Sequence, residues 1–312
     1  MLVEVSAKEY RQYFPLDPHP FVSESFIELN RHKADRIIRL IDKSEKTRLG
    51  LVAGIIKNTI KSPFSAPFGG FHFRNSYHYA EKVENFLKLL IDYVNLNELD
   101  GVEITLPPDI YQQNMNAKLV NAMHRVGFKM ETPDITNWAD LSRFNGLFSH
   151  RNSRNYYNQA KRNGLTCTQV ETPIDFEAVY QIIKGNRKRF GRPIYMTLND
   201  ILEIENFWPV DFFTVKEPND RLCAAAIFYR AHPDISYAVL WGDNEEGRAL
   251  RAMDYLSFCL LEHYKRLGYK YIDFGTSTES GTPNNGLLRF KETHECASSL
   301  RFKFIYQGLK RK

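Results

Sequence analysis

Apolar and polar residues change period repeatedly along this chain, and the changes mark its elements. Mostly apolar stretches at 36–41 and 49–57 predict strands separated by the turn sequence DKSEKT. Val83, Phe86, Leu87, Leu90, Ile91 and Val94 recur at helical spacing and predict a helix from about 78 to 94. The strand GVEITL, a helix through NAKLVNAMHRVGF and strands running to Leu141 follow. The next part predicts a helix near 150–163, a strand at 165–170 and a helix at 175–190. Strands at 211–216, 222–230 and 236–241, joined by KEPND and AHPD, read as an antiparallel meander. A helix from about 248 to 267 is predicted, with Met253, Leu256, Leu260, Tyr264 and Leu267 on one face; the strand KYIDF, a short helix and the strand LRFKFIY close the pattern.

Both halves thus share one order: meander, long helix, strand, helix, strand. An α/β chain (α+β, with mixed sheets) built from two tandem modules is expected, spanning 1–145 and 146–312, with the boundary at SRFNG. Its 312 residues suffice for two cores, and 43% hydrophobic with 25% charged residues suits globular domains. The longest apolar run, 49–56, is too short to cross a bilayer. MLVEVSAKEYRQYF lacks a basic segment followed by an apolar one, so a cytoplasmic protein is the expectation. Cys167, Cys223, Cys259 and Cys296 are scattered without a CxxC, which argues for reduced thiols and no metal site, although Cys259/His263 and His294/Cys296 are closely spaced.

Charge alters this picture. The net charge is +5, and residues 149–200 alone hold nine Lys/Arg against four acids, an excess equal to that of the whole chain. Arg151, Arg154, Asn158 and Lys161 recur at helical spacing on one face, which Arg187, Lys188 and Arg189 would extend. The segment is read either as the seat of an anionic partner or as a solvated helix surface.

The stretch YIDFGTSTESGTPNNGLLRFKE, residues 271–292, joins a strand to a helix through a glycine-studded loop. It is no Walker loop, because Leu287 and Leu288 follow Gly286 where Lys and Ser/Thr are needed. GxGxxG is absent, and Asp273-Phe274-Gly275 has no HRD loop or VAIK strand to accompany it. GxSxG and HExxH are absent as well.

YIDFG followed by NNGLLRFKE is similar to a pattern of the Fem family of peptidoglycan-bridge aminoacyltransferases: strand, glycines, GL, a polar residue, then FK. SAPFGGF and RNSRNYYNQAKRNGL are looser supports, and the element order resembles two copies of the GNAT acyltransferase fold. The resemblance implies two tandem GNAT-like modules and places the FK lysine, here Lys291, at the reaction centre. A fixed ammonium would stabilise the tetrahedral oxyanion of acyl transfer. The bland reading of Lys291 is an exposed residue paired with Glu295. Asp273 and Glu279 are candidate general bases. Gly275 and Gly286 would allow close backbone approach, as would Gly281, while Asn284 and Asn285 would cap the helix and offer amides to a ligand. On the same reading Arg151, Arg154 and Lys161 meet donor or acceptor phosphate, and Tyr195, with Met196, lines a pocket.

A departure bears on the donor. CoA-dependent GNAT enzymes carry Q/RxxGxG/A where the long helix begins, whereas GDNEEGRALRAM has one internal candidate, Gly247, beside Glu245 and Glu246. Those acids would repel a pyrophosphate, which favours aminoacyl-tRNA or another carrier over acyl-CoA. The expected function is an N-acyl- or aminoacyltransferase that uses an anionic carrier, tRNA or CoA, and an amine acceptor, with no tightly bound cofactor. The alternative is a non-catalytic duplicated module that binds an anionic ligand or RNA.

Overall fold

A computed structural model of the chain describes residues 1–43, 49–74 and 78–309. The chain divides into two compact units, one of Met1–Ile135 with Ser280–Thr282 and the segment from Ser299 onward, the other of Thr136–Glu279 with Pro283–Ser298.

In the first unit the strand order is Leu2–Glu4, Arg36–Asp42, Leu49–Ile56, Thr59–Ser62, Gly101–Thr105, Lys303–Gln307 and Lys129–Met130, with Phe71–Phe73 paired to Leu49–Ile56. Thr59–Ser62 and Gly101–Thr105 run parallel; the other pairings with known register are antiparallel. Helices Ala80–Leu96 and Asp109–Arg125 pack together. Val83, Phe86, Leu87, Leu90 and Val94 are all buried on the sheet, so the predicted apolar stripe is the core face. Each such Leu contributes about 1.5–3 kcal/mol through removal from water.

The second unit's sheet has the order Cys296–Arg301, Asp134–Asp140, Tyr271–Thr276, Ile235–Asp243, Leu222–His232, Val210–Lys216 and Thr166–Val170. Side chains alternate across a strand, and this sorts the helices into two layers. Phe213 meets His263 and Tyr264 of the helix Ala252–Arg266, on which the helix Arg151–Arg162 also packs through Tyr157, stacked 3.9 Å from Phe258. Its neighbour Phe212 points the other way and stacks at 4.1 Å on Phe176 of the helix Pro173–Arg189.

Several expectations change. The units divide at 135/136 rather than near 145, and the chain from Ser299 onward belongs with the first unit. The apparent strand LRFKFIY is two strands in two sheets, with Phe302 between them, because a period of two cannot tell which sheet supplies the partners. The helix expected at 248–267 is broken at Arg251, whose φ of +64° is left-handed, so Glu245–Ala249 and Ala252–Arg266 are separate. Helices Ala7–Tyr13, Glu24–Leu29 and Leu198–Glu205 are additional; Ser6, Ser23 and Thr197 cap them with side-chain oxygens. The turn DKSEKT lies largely outside the described residues.

Candidate active site

The strands Ile235–Asp243 and Tyr271–Thr276 pair in parallel from Ile235↔Tyr271 to Tyr237↔Asp273 only. Beyond that point they have no common register. The separation coincides with an irregularity between Asp273 and Thr276 in the pairing with Asp134–Asp140. Gly275 is left-handed there, with φ +70°, a conformation that other residues adopt at a cost. The Asp273 carboxylate accepts from the Gly275 amide at 2.8 Å and braces the bend from inside.

The bend turns two backbone carbonyls toward one side chain. Lys291, on the helix Asn285–Thr293, is only 1% exposed, and its ammonium donates to the oxygens of Gly275 at 2.9 Å and Thr276 at 3.0 Å. An ammonium has three donors, so one remains. Burial pulls the Lys291 pKa down to about 8; Cys296 and Asp273 oppose the shift, while Arg192 and Arg187 add to it. The reading of Lys291 as an exposed partner of Glu295 is thereby corrected: Glu295 instead accepts from the backbone amide and hydroxyl of Ser149.

Arg187 and Arg192 come together at the end of the helix Pro173–Arg189. Gly191, with φ +63°, reverses the chain, the Gly191 amide donates to Lys188, and the Arg192 amide donates to the Arg187 carbonyl at 2.9 Å. Asn186 and Arg189, on either side of Arg187 and Lys188, hold this turn on Asp243 at the end of a central strand. Burial and Arg192 lower the Arg187 pKa. Among the described residues neither Arg187 nor Arg192 forms an ion pair, in contrast to Arg189, which pairs with Asp243 at 2.7 Å. Two half-buried guanidiniums thus lie near the buried Lys291 ammonium, with the Asp273 carboxylate opposing them.

The residues singled out from the sequence separate into distinct places. Lys291, Asp273 and Gly275 converge. Asn284 caps the Lys291 helix by accepting from the Leu287 amide at 3.0 Å, but Asn285 is an exposed first-turn residue and Gly286 an ordinary helical one. Glu279 is exposed on the hairpin Thr278–Glu279/Thr282–Pro283 and is linked by no hydrogen bond or ion pair to Lys291 or Asp273 among the described residues. Tyr195 is 88% exposed, so the aromatic expected to line a pocket points to solvent, while the Met196 carbonyl accepts from Tyr180. Arg151, Arg154 and Lys161 are exposed on the helix Arg151–Arg162, in the layer opposite the one that carries Arg187. The basic excess of 149–200 is therefore two surfaces rather than one. Phe190-Gly191 after a helical run was a sequence signal for the return that brings Arg192 to Arg187; nothing local indicated Tyr237.

Solved structures that share this architecture include FemX (12% identity, TM-score 0.69, covering 98% of this chain and 97% of that one). The L-PGS of Bacillus licheniformis aligns over 99% of this chain and 94% of its own at 12% identity, with a TM-score of 0.61. A tandem GNAT protein from the clavulanic acid biosynthesis pathway covers 100% of this chain and 99% of its own at 8% identity, with a TM-score of 0.59. The chain has the duplicated GNAT-type fold. At these identities the likeness is one of fold. No protein-family model and no curated protein matches the sequence. In this GNAT-type chain the parallel strands that part after Tyr237 and Asp273 occur in the second module, and the loop quoted above leaves from the end of one of them. Among the described residues no helix is long and apolar enough to cross a membrane.

Proposed function

We propose that this chain is an N-acyl- or aminoacyltransferase that moves an acyl group from an activated carrier to an amine. The observation that carries this reading is the Lys291 ammonium, buried and fixed by two carbonyls beside the bend where two parallel strands part. A donor fixed in advance stabilises charge that develops on an oxygen without reorganising during the reaction. In the reaction the amine nitrogen attacks the carrier's carbonyl carbon and the carbonyl oxygen becomes an oxyanion. Collapse breaks the bond to the carrier oxygen or sulfur. The amine loses a proton to a base, which passes it to the departing oxygen or sulfur, so the carrier leaves as its hydroxyl or thiol. Asp273 is the nearer base candidate, since it sits on the same bend as Lys291's acceptors.

Aminoacyl-tRNA or another non-CoA carrier is the favoured donor. Gly247, the one glycine where a pyrophosphate loop would lie, has its amide committed to the Asn244 side chain at 2.8 Å, and Glu246 pairs with Arg221. FemX and the L-PGS share the fold, which supports the transferase reading without selecting a substrate. A second reading, a binding module for an anionic ligand or RNA, draws on the same contacts: the two carbonyls account for the buried lysine without any chemistry. Incubation with acyl-CoAs or charged tRNAs and a panel of amines, followed by mass spectrometry, tests the choice. Acylated amine formed by the native protein and lost in Lys291→Met supports transfer; tight binding without product for every pair supports the module.

A further inference from the structure

Outside the groups assigned above, one buried polar pair has an unusual position. His294 immediately follows the helix that carries Lys291, and its imidazole is 5% exposed. Its Nδ1 meets the Phe290 carbonyl oxygen at 2.6 Å and its Nε2 meets Asp254 Oδ1 at 3.0 Å. A carbonyl and a carboxylate only accept, so the ring bridges two acceptors, one on its own helix and one on the helix Ala252–Arg266. Phe290 is the residue before Lys291, and the His294 amide donates to the Lys291 carbonyl at 2.9 Å. One residue thus closes the last turn around Lys291 by backbone and side chain together. Asp254, in the first turn of Ala252–Arg266, lies where the helix dipole favours an anion, and His294 is the C-cap of the helix that carries Lys291. Phe290 stacks on the imidazole at 4.0 Å and Phe148 packs edge-on at 4.9 Å, so the ring is enclosed on both sides by aromatic carbon. The other groups against His294 are the Thr293 hydroxyl and the Cys296 thiol.

We propose that the Asp254–His294 pair is a positioning device for Lys291, clamping its helix to the long helix so that the ammonium stays on the Gly275 and Thr276 carbonyls. The opposite end of the Lys291 helix is held independently, by Asn284, whose amide donates to the Ser277 carbonyl at 2.8 Å. With both ends fixed, Lys291 has little freedom along the strand end. The positioning of a catalytic group rests on the transferase reading given above; the clamp itself does not.

The test uses the full chain and two variants that alter the pair differently. Asp254→Asn keeps shape and removes charge. His294→Asn retains an amide near the Nδ1 position for Phe290 but cannot reach Asp254. The Lys291 Nζ is followed by side-chain 15N NMR, its signal assigned by loss in Lys291→Met. In the native protein the titration midpoint is expected near 8. Loosening the helix admits water, so both variants should move the midpoint upward by about half a unit or more, with unfolding still cooperative. Where transfer is measurable, kcat should fall about tenfold with KM nearly unchanged, because misplacement by a fraction of an ångström acts on the transition state. Midpoints within about 0.2 units of native in both folded variants overturn the proposal, as does outright unfolding of both, which makes the pair a general stability contact. A shifted midpoint in a protein with no transfer activity leaves the clamp standing and removes the transferase reading instead.

Discussion

The Lys291 Nζ lies 2.9 Å from the carbonyl oxygen of Gly275, a residue sixteen positions earlier at the bend of a central strand. The left-handed glycine aims the carbonyl, and the helix that follows the loop supplies the ammonium. A group that reads as a surface lysine in its own helix is therefore enclosed.

Replacing Lys291 with Met retains most of the stem's packing and removes the charge. Turnover is expected to fall by about 10² to 10³, the scale of losing one oxyanion donor. Substrate affinity should change far less, since the interaction strengthens only as charge builds. Single-turnover rates and direct binding measurements on the same preparation separate the two. Lost binding with retained turnover would make Lys291 a ligand clamp.

The pH dependence has opposite signs for rate and stability. With the Lys291 pKa lowered to about 8 by burial, the ammonium is lost as pH rises through that value, so transfer should decline above it. Between about 8 and the ordinary lysine value of 10.5 the unfolded chain holds more protons than the folded one, so Lys291's contribution to stability should rise with pH. Rate profiles and denaturant unfolding of native and Lys291→Met proteins check both. A rate that climbs through pH 8 would assign Lys291 as a base.

Acetyl-CoA should bind weakly or not at all, because the Gly247 amide is occupied and Glu245 and Glu246 stand in the first turn of the short helix that follows the strand. Isothermal titration giving a Kd at or below about 1 μM, roughly −8 kcal/mol, would reverse the donor preference.

Arg151, Arg154 and Lys161 replaced together by Gln should weaken RNA binding and flatten its salt dependence, with stability changed by less than about 0.5 kcal/mol. A small anionic ligand should be unaffected, since Arg187 and Arg192 occupy the opposite layer. Conversely, Arg187→Gln should weaken the small ligand. Filter binding with RNA and titration with inorganic phosphate distinguish the surfaces, and equal losses in both assays would merge them again.

Gly247→Ala should destabilise the second unit by about 1–3 kcal/mol, the scale of overpacking a tight core. The added methyl would overlap the Cys223 carbonyl, a backbone atom that cannot swing aside. Urea unfolding measures this, and an unchanged midpoint would show that the short helix Glu245–Ala249 is free to move off the strand.

Local chemistry was enough for much of this molecule. The apolar stripe from Val83 to Val94, the meander with its KEPND and AHPD turns, and the Asn284 cap each depend on neighbours within a few residues, so their physics is written in the letters. The repeated element order likewise made two GNAT-like modules legible. Burial of Lys291 was not, because its acceptors are carbonyls, which every residue type supplies and which only a bent strand can aim. The same holds for the break at Arg251, where no glycine marks a left-handed residue, and for the split of the last strands between two sheets. The basic segment 149–200 appeared as one block because sequence proximity ignores which face of a sheet a helix covers; packing of Tyr157 on Phe258 and of Phe176 on Phe212 decided that it is two. Periodicity determines which residues are buried, whereas hydrogen-bond partners distant in the chain determine where a charge ends up.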